Sequence, residues 1–307
     1  MKIRKIRPEK HNQEENQTYL NAVLIAFSGN LILAVAKGLL AWITGSSAIF
    51  SDAANSISDT FYSLLMGLGL YLSKRPADQS HPQGHSRFEP FVSLFIASAM
   101  AFAGITAMWQ SIQRFLEGAT IIRPGFPTVV LMGAALLKVG MYRVVWRLGT
   151  RVKSPAIKAS ARDNLVDVLT TVTAIAGVWG SNLLHPYFDP ALGIFIGFWI
   201  IHTAWKTTSE NLGYLAGRGA SQELIREINS LALEFPGVRN AHRIIADYVG
   251  PKVRVDMHIE VDGDIPLKEV HVIVELLKEK IENLSDVDLV FIHVEPYQVS
   301  KDTSKAE

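Results

Sequence analysis

Six long apolar stretches occupy most of the chain between residues 20 and 212 and restrict what it can fold into. Each is roughly 20 residues or longer, the length at which a helix crosses the ~30 Å hydrocarbon core of a bilayer. The composition agrees, because 49% of the 307 residues are hydrophobic and 19% are charged. We predict an α-helical membrane protein whose six transmembrane helices lie near Leu20–Ile43, Ala48–Leu72, Phe91–Leu116, Thr128–Leu148, Ala156–Leu184 and Pro190–Leu212.

The charge of the loops predicts how these helices are oriented. Lys and Arg are frequent in residues 1–18, 74–87 and 143–162, whereas the turns at 44–47, 117–127 and 185–189 hold only Arg123 between them. Loops rich in Lys and Arg stay on the cytoplasmic side of a membrane. With an even number of spans, both termini are therefore predicted to be cytoplasmic.

The carboxyl-terminal third has the pattern of a small cytoplasmic α+β domain, which we place at residues 215–298. Apolar residues recur at helical spacing around Leu224 and again around Val274. Between them, residues 253–261 alternate strictly between apolar and polar side chains, as in a half-buried strand. The predicted order of elements is αββαβ. Residues 1–18 form a basic amino-terminal segment, residues 19–214 the transmembrane domain, and residues 299–307 a polar tail.

Composition also excludes several classes of function. The chain has no Cys, which removes disulfides, thiolate zinc sites and thiol catalysis together. Its net charge of +1 gives no indication of nucleic-acid binding. Residues 1–18 are too polar for a signal peptide.

Two of the apolar stretches carry pairs of polar residues four positions apart: Asn55 with Asp59, and Asp163 with Asp167. On a helix, each pair lies on one face. An Asp near mid-bilayer costs at least ~2.5–3.5 kcal/mol on the gentlest insertion scale, so such residues are candidates for a functional site. The helical rise places the two pairs at similar depth. The alternative is a structural acid paired with a base on a neighbouring helix, for which Lys37 is the nearest candidate.

Three carboxylates and one amide without a counter-cation would form a cation site, if the second and fifth helices meet. We expect Gly67 and Gly69 on the second helix to permit that approach. The ligands are hard oxygen donors, which favours Mn²⁺ over Zn²⁺, Fe²⁺ or Co²⁺. Crowded, buried carboxylates repel, so at least one should hold a proton when the metal leaves. Asp163 is the predicted carrier, because it lies nearer the cytoplasm.

Three motifs together resemble the cation diffusion facilitator family of divalent-metal exporters. They are the segment from Ser51 to Asp59, the Asp163/Asp167 pair, and the loop from Lys74 to Glu89. The resemblance implies a transport site formed by two positions on the second helix and two on the fifth, here Asn55, Asp59, Asp163 and Asp167. Zinc-type members usually have His at one or both first positions. The Asn and Asp found here resemble the manganese-type subgroup instead.

The resemblance implies two further groups of metal ligands. In the loop after the second helix they are Asp78, His81 and His85. In the soluble domain they are His242, His258, His271, His293 and Glu295. Solvated histidines without a ligand role are the alternative for both groups.

The predicted function is export of a divalent metal, preferably Mn²⁺, across the plasma membrane (the inner membrane of a prokaryotic-type cell). The resemblance implies a homodimer that works by alternating access, exchanging metal for protons. No resident cofactor, enzymatic activity or nucleic-acid partner is expected, since the metal is the cargo. The alternatives are an exporter of Zn²⁺, Fe²⁺ or Co²⁺, a metal-sensing membrane receptor, and a membrane metallohydrolase, although no activated nucleophile motif accompanies the histidines.

Overall fold

The computed structural model describes residues 13–44, 47–118 and 126–297. The predicted segments 1–18 and 299–307 therefore lie largely or wholly outside the described residues. The chain divides into two compact units, the first ending at Leu212 and the second beginning at Gly213. The first unit contains six helices: α1 (Gln13–Thr44), α2 (Ser47–Ser73), α3 (Phe88–Glu117), α4 (Phe126–Arg151), α5 (Pro155–Leu183) and α6 (Phe188–Leu215), which ends at the start of the second unit.

The six helices are 26 to 32 residues long, enough for each to cross a bilayer. By length and apolar composition alone, two stretches of the described residues are suited to spanning: Asn16–Leu39 within α1, and α3 itself. Large apolar side chains also face outward, among them Trp42 at 84% exposure and Leu136 at 73%. Apolar surface of this extent is typical of a protein that contacts lipid.

Local sequence explains where α5 begins. The Oγ of Ser154 accepts a hydrogen bond from the backbone N–H of Ile157 at 3.2 Å, which caps the helix. Pro155 follows in the first turn, where its missing N–H costs nothing. The start of α5 fixes the position of the acidic pair two and three turns further along the helix.

Gly67 and Gly69 of α2 pack against α1 and α3, whereas the sequence predicts that they pack against α5. A methyl group at Gly67 would lie 3.0 Å from Val23 Cγ1 on α1, and one at Gly69 would lie 2.3 Å from Val92 Cγ2 on α3. The lack of a Cβ atom at these two positions therefore allows α1 and α3, rather than α5, to pack closely against α2. The expectation that Gly67 and Gly69 bring α2 close to α5 is wrong.

The second unit contains α7 (Gln222–Leu233), β1 (Asn240–Val249), β2 (Lys252–Val261), α8 (Leu267–Glu282) and β3 (Val287–Pro296). The predicted order αββαβ is confirmed, and so is the predicted fold class. The sheet has the order β1-β2-β3, with β1 antiparallel and β3 parallel to the central strand β2.

Both helices cover one face of this sheet. The apolar residues of β2, from Val253 to Val261, are buried against Ile228 of α7 and against Leu277 and Ile281 of α8. Because side chains alternate along a strand, the polar residues of β2 lie on the opposite face. A bulge in β1 follows His242, where Arg243 adopts a positive φ of 48°. Bulges change the direction of neighbouring side chains, and this one adjoins the histidines of the polar face.

Candidate metal centres

The three intramembrane acids come together where α2 meets α5. Asp59, Asp163 and Asp167 each offer a carboxylate oxygen, and these oxygens lie within 4.8 Å of one another. Asp59 is almost fully buried, and the other two are partly buried. Oxygens at such separations can bind the same ion, so the geometry is suited to a divalent cation. Asn55 lies one turn before Asp59 on α2, but its side chain lies outside the described part of the structure.

A buried base also occupies this centre. The ammonium nitrogen of Lys138, on α4, lies 2.8 Å from Asp59 Oδ2 and 2.6 Å from Asp167 Oδ2. Lys138 is 4% exposed, so these are hydrogen-bonded ion pairs shielded from water. The expectation that the acids have no counter-cation is wrong, because Lys138, a base other than the suggested Lys37, forms ion pairs with Asp59 and Asp167. Binding a metal at these oxygens must therefore involve Lys138.

The sequence contained a signal for Lys138. It lies at the middle of α4, a helix otherwise apolar over most of its length. The cost of placing a charge at mid-bilayer applies to Lys as it does to Asp. An intramembrane base was thus predictable by the same argument that identified the acids, although its partners were not.

Polar side chains fix the backbone around the acids. The Asp59 carbonyl accepts hydrogen bonds from Ser63 Oγ at 2.9 Å and from Asn30 Nδ2, on α1, at 3.3 Å. Asn30 also donates to Ser63 Oγ at 3.0 Å, which joins α1 to α2 beside the centre. On α5, the hydroxyl of Thr171 donates to the Asp167 carbonyl at 2.8 Å. The Asn30 bonds hold α1 against α2 beside Asp59, whereas the Ser63 and Thr171 bonds lie within their own helices.

The loop between α2 and α3 brings together the second predicted group. Asp78, His81 and His85 offer ligand atoms within 4.8 Å of one another. Asp78 Oδ2 lies 3.6 Å from His85 Nε2, and Asp78 Oδ1 lies 3.6 Å from His81 Nδ1. Gly84, with a φ of 90°, makes the turn between the two histidines, a backbone conformation that favours glycine.

Hydrogen bonds also fix the side chains of this loop. The pKa of Asp78 is lowered, first by the backbone N–H of His81 and then by that of Ser80, so it remains ionised. His85 Nδ1 lies 3.3 Å from the carbonyl oxygen of Arg75. A carbonyl only accepts, so this bond requires a proton on Nδ1, and in the neutral ring Nε2, 3.6 Å from Asp78 Oδ2, is then the nitrogen that can bind a metal. The donor set suits a metal ion.

The polar face of the sheet holds the third group. His242, His258 and Glu295, from three neighbouring strands, offer ligand atoms within 4.8 Å of one another. His258 Nδ1 lies 2.7 Å from Glu295 Oε1, and His242 Nε2 lies 3.5 Å from Glu295 Oε2. The pKa of Glu295 is lowered, first by its hydrogen bond with His258. One carboxylate between two imidazoles is a plausible centre for a metal such as Zn²⁺ or Mn²⁺.

The two remaining histidines of this domain differ in position. The His293 ring lies 4.7 Å from the His258 ring, beside the same cluster. His271 is exposed on α8, in the helical layer that covers the other face of the sheet. The structure thus brings four of the five predicted residues to one surface and leaves His271 apart. Whether either group binds metal stays a prediction.

Comparison with known proteins identifies the class to which this fold and these sites belong. The family model for the cation efflux transmembrane domain matches residues 23–216, and the model for the cation efflux protein cytoplasmic domain matches residues 220–297. The chain therefore belongs to the cation efflux family, also called cation diffusion facilitators. It is a membrane protein that exports divalent metal cations, and members of this family are transporters rather than enzymes.

Several relatives align along most of the chain. An uncharacterized transporter of Methanocaldococcus jannaschii, MJ0449, is 29% identical and covers 89% of this chain and 96% of its own. The YdbO transporter of Bacillus subtilis is 30% identical, covering 87% and 91%. The manganese efflux protein MneS of the same bacterium is 26% identical, covering 91% and 96%. Among solved structures, the metal-bound C-terminal domain of a CzcD transporter from Thermotoga maritima is 33% identical, covering 24% of this chain and 87% of its own at a TM-score of 0.23.

Proposed function

We propose that the principal cargo is Mn²⁺ and that Asn55, Asp59, Asp163 and Asp167 hold it midway through the membrane. The observation that carries this proposal is the convergence of three carboxylates within 4.8 Å at the meeting of α2 and α5. Hard oxygen ligands suit Mn²⁺, whereas Zn²⁺ favours sites that include His or Cys. The manganese efflux proteins MneS and MneP of Bacillus subtilis, at 26% and 27% identity, support the same cargo.

Proton exchange follows from the charge of the centre. Three ionised carboxylates carry three negative charges. A divalent cation neutralises two of them, whereas the Lys138 ammonium alone neutralises one. When the ion leaves, protons restore that balance, which couples export to proton uptake. We assign an exchanged proton to Asp163. Among the described residues, Lys138 donates hydrogen bonds to Asp59 and Asp167 and not to Asp163.

The rest of the proposal concerns assembly and location. We assign residues 19–214 to the membrane and residues 215–298 to the cytoplasm, with both termini cytoplasmic and the plasma membrane as the location. We infer a homodimer that works by alternating access. Metal at the loop site and at the cytoplasmic cluster would bias the transporter between conformations through its different affinity for each. His271 stays a predicted ligand of the cytoplasmic domain, but not of the cluster around Glu295.

A flux assay in proteoliposomes tests the choice of metal. Purified protein is reconstituted, and uptake of Mn²⁺ and of Zn²⁺ is followed in parallel with an internal indicator under an imposed proton gradient. Mn²⁺ flux should exceed Zn²⁺ flux, and dissipating the gradient should slow both. Zn²⁺ flux without Mn²⁺ flux would refute the manganese assignment while leaving the carboxylate centre in place.

A further inference from the structure

Lys138 forms the closest polar contacts described at the transport centre. It projects from α4 and joins Asp59 of α2 to Asp167 of α5, at 2.8 Å and 2.6 Å. Both contacts use an Oδ2 atom, and the ammonium group is shielded from water at 4% exposure. A single base thus holds two of the three carboxylates that are proposed to bind the metal.

The chemistry of its ammonium group makes Lys138 a competitor of a metal ion for the same carboxylate oxygens. Lys has three N–H donors and no lone pair while charged, so it cannot become a ligand beside the metal. It offers the carboxylates what a cation offers, namely positive charge and short contacts to the same oxygens. Its flexible four-carbon stem also allows the group to swing away without movement of the backbone of α4.

We propose that Lys138 is an internal competitor of the transported metal. In the empty transporter its ammonium group occupies the centre and neutralises part of the acidic charge. The incoming metal displaces it from Asp59 and Asp167, and it returns when the metal leaves. Lys138 therefore weakens metal binding and favours release. This inference rests on the proposed function, because it requires these carboxylates to be the metal ligands.

A permanent brace is the alternative role for the same contact. If Lys138 stayed on the two Oδ2 atoms while metal bound to other oxygens, its removal would loosen the centre and weaken metal binding. A competitor has the opposite signature, since its removal strengthens binding. The sign of the change in affinity therefore separates the two roles.

The test measures Mn²⁺ binding to the purified full-length protein by calorimetry, together with the melting temperature without and with Mn²⁺. Lys138→Met should bind Mn²⁺ about tenfold more tightly than the wild type, because the metal then has no ammonium group to displace from the two carboxylates. Its melting temperature should be lower without metal, and Mn²⁺ should raise it by more than in the wild type, since the metal then supplies the missing charge. Lys138→Arg, which keeps the charge, should bind no more tightly than the wild type.

Lys206→Met is the matched control, because it removes an exposed lysine from α6 and should leave both measurements at wild-type values. If Lys138→Met does not fold, the comparison is made in an Asp167→Asn background, where adding Lys138→Met should again tighten binding. Unchanged or weaker binding in either comparison would overturn the proposal and identify a brace. Failure of the proposed function is distinguishable, because changing both Asp59 and Asp163 to Asn would then remove no component of Mn²⁺ binding. Binding that persists at the loop and cytoplasmic groups is expected in either case.

Discussion

Asp163→Asn is expected to abolish Mn²⁺ export while leaving the fold intact. The attraction between opposite charges about 4 Å apart is worth roughly 4 kcal/mol at the effective dielectric of a protein, so losing one of three carboxylates should weaken metal binding by about 100-fold or more. The same change removes the proposed proton carrier. Because Lys138 bonds Asp59 and Asp167, its two ion pairs survive in the variant. Flux in proteoliposomes and the melting temperature of the purified protein measure the two expectations.

Asp264→Asn is the matched control, since it makes the same chemical change at an exposed position of the cytoplasmic domain. It should transport Mn²⁺ as the wild type does. Export that continues in Asp163→Asn at more than a few per cent of the wild-type rate would show that Asp163 is not a ligand. Loss of export together with a large fall in melting temperature would instead indicate a structural role.

Asn55→His is expected to shift the metal preference from Mn²⁺ toward Zn²⁺. An imidazole nitrogen is a softer donor than an amide oxygen and is a common ligand of Zn²⁺. Exchange of one ligand of four should change the ratio of Zn²⁺ to Mn²⁺ flux by about tenfold or more, in proportion to the changed affinities. Competition between the two metals in one vesicle preparation gives this ratio directly.

The control for this variant introduces the same imidazole on α2 away from the proposed ligand positions. Leu64 is exposed on that helix, on the face opposite Asn55, and Leu64→His should leave the flux ratio unchanged. A ratio that moves equally in both variants would show that any added imidazole on α2 alters selectivity. A ratio unchanged in Asn55→His would remove Asn55 from the proposed ligand set.

Much of the fold was predictable because the strongest signals in the sequence are also the physical constraints. The length of the apolar stretches is set by the thickness of the bilayer, and the alternation around Met257 is set by a sheet buried on one face. These signals predicted six helices and the αββαβ order. They are local along the chain, so they can be read without knowledge of what packs against what.

The errors concern which helix faces which. The sequence predicts that Gly67 and Gly69 face α5, but these glycines instead allow α1 and α3 to pack closely against α2. A glycine indicates close approach of another element without indicating which one. Lys138 and Asp59 are likewise far apart in sequence. They come into contact only because the helices that carry them pack together in the folded bundle. Depth along each helix predicted that the acids share a level, but rotation about the helix axis decides which bases join them.

The cytoplasmic histidines show the same limit on a smaller scale. Strand alternation placed His258 on the polar face, and pairing with β1 and β3 brings His242 and His293 beside it. His271 was grouped with them by resemblance, yet its helix covers the other face of the sheet. Within one protomer, the sheet itself separates it from Glu295.

The most direct test of the central claim is anomalous X-ray scattering from crystals of the protein grown with Mn²⁺, recorded near the manganese absorption edge. We predict a peak between α2 and α5 within coordination distance of the carboxylate oxygens of Asp59, Asp163 and Asp167, with the Lys138 ammonium moved away from both of its partners. Peaks confined to the loop site or the cytoplasmic cluster, with Lys138 still bonded to Asp59 and Asp167, would contradict the account.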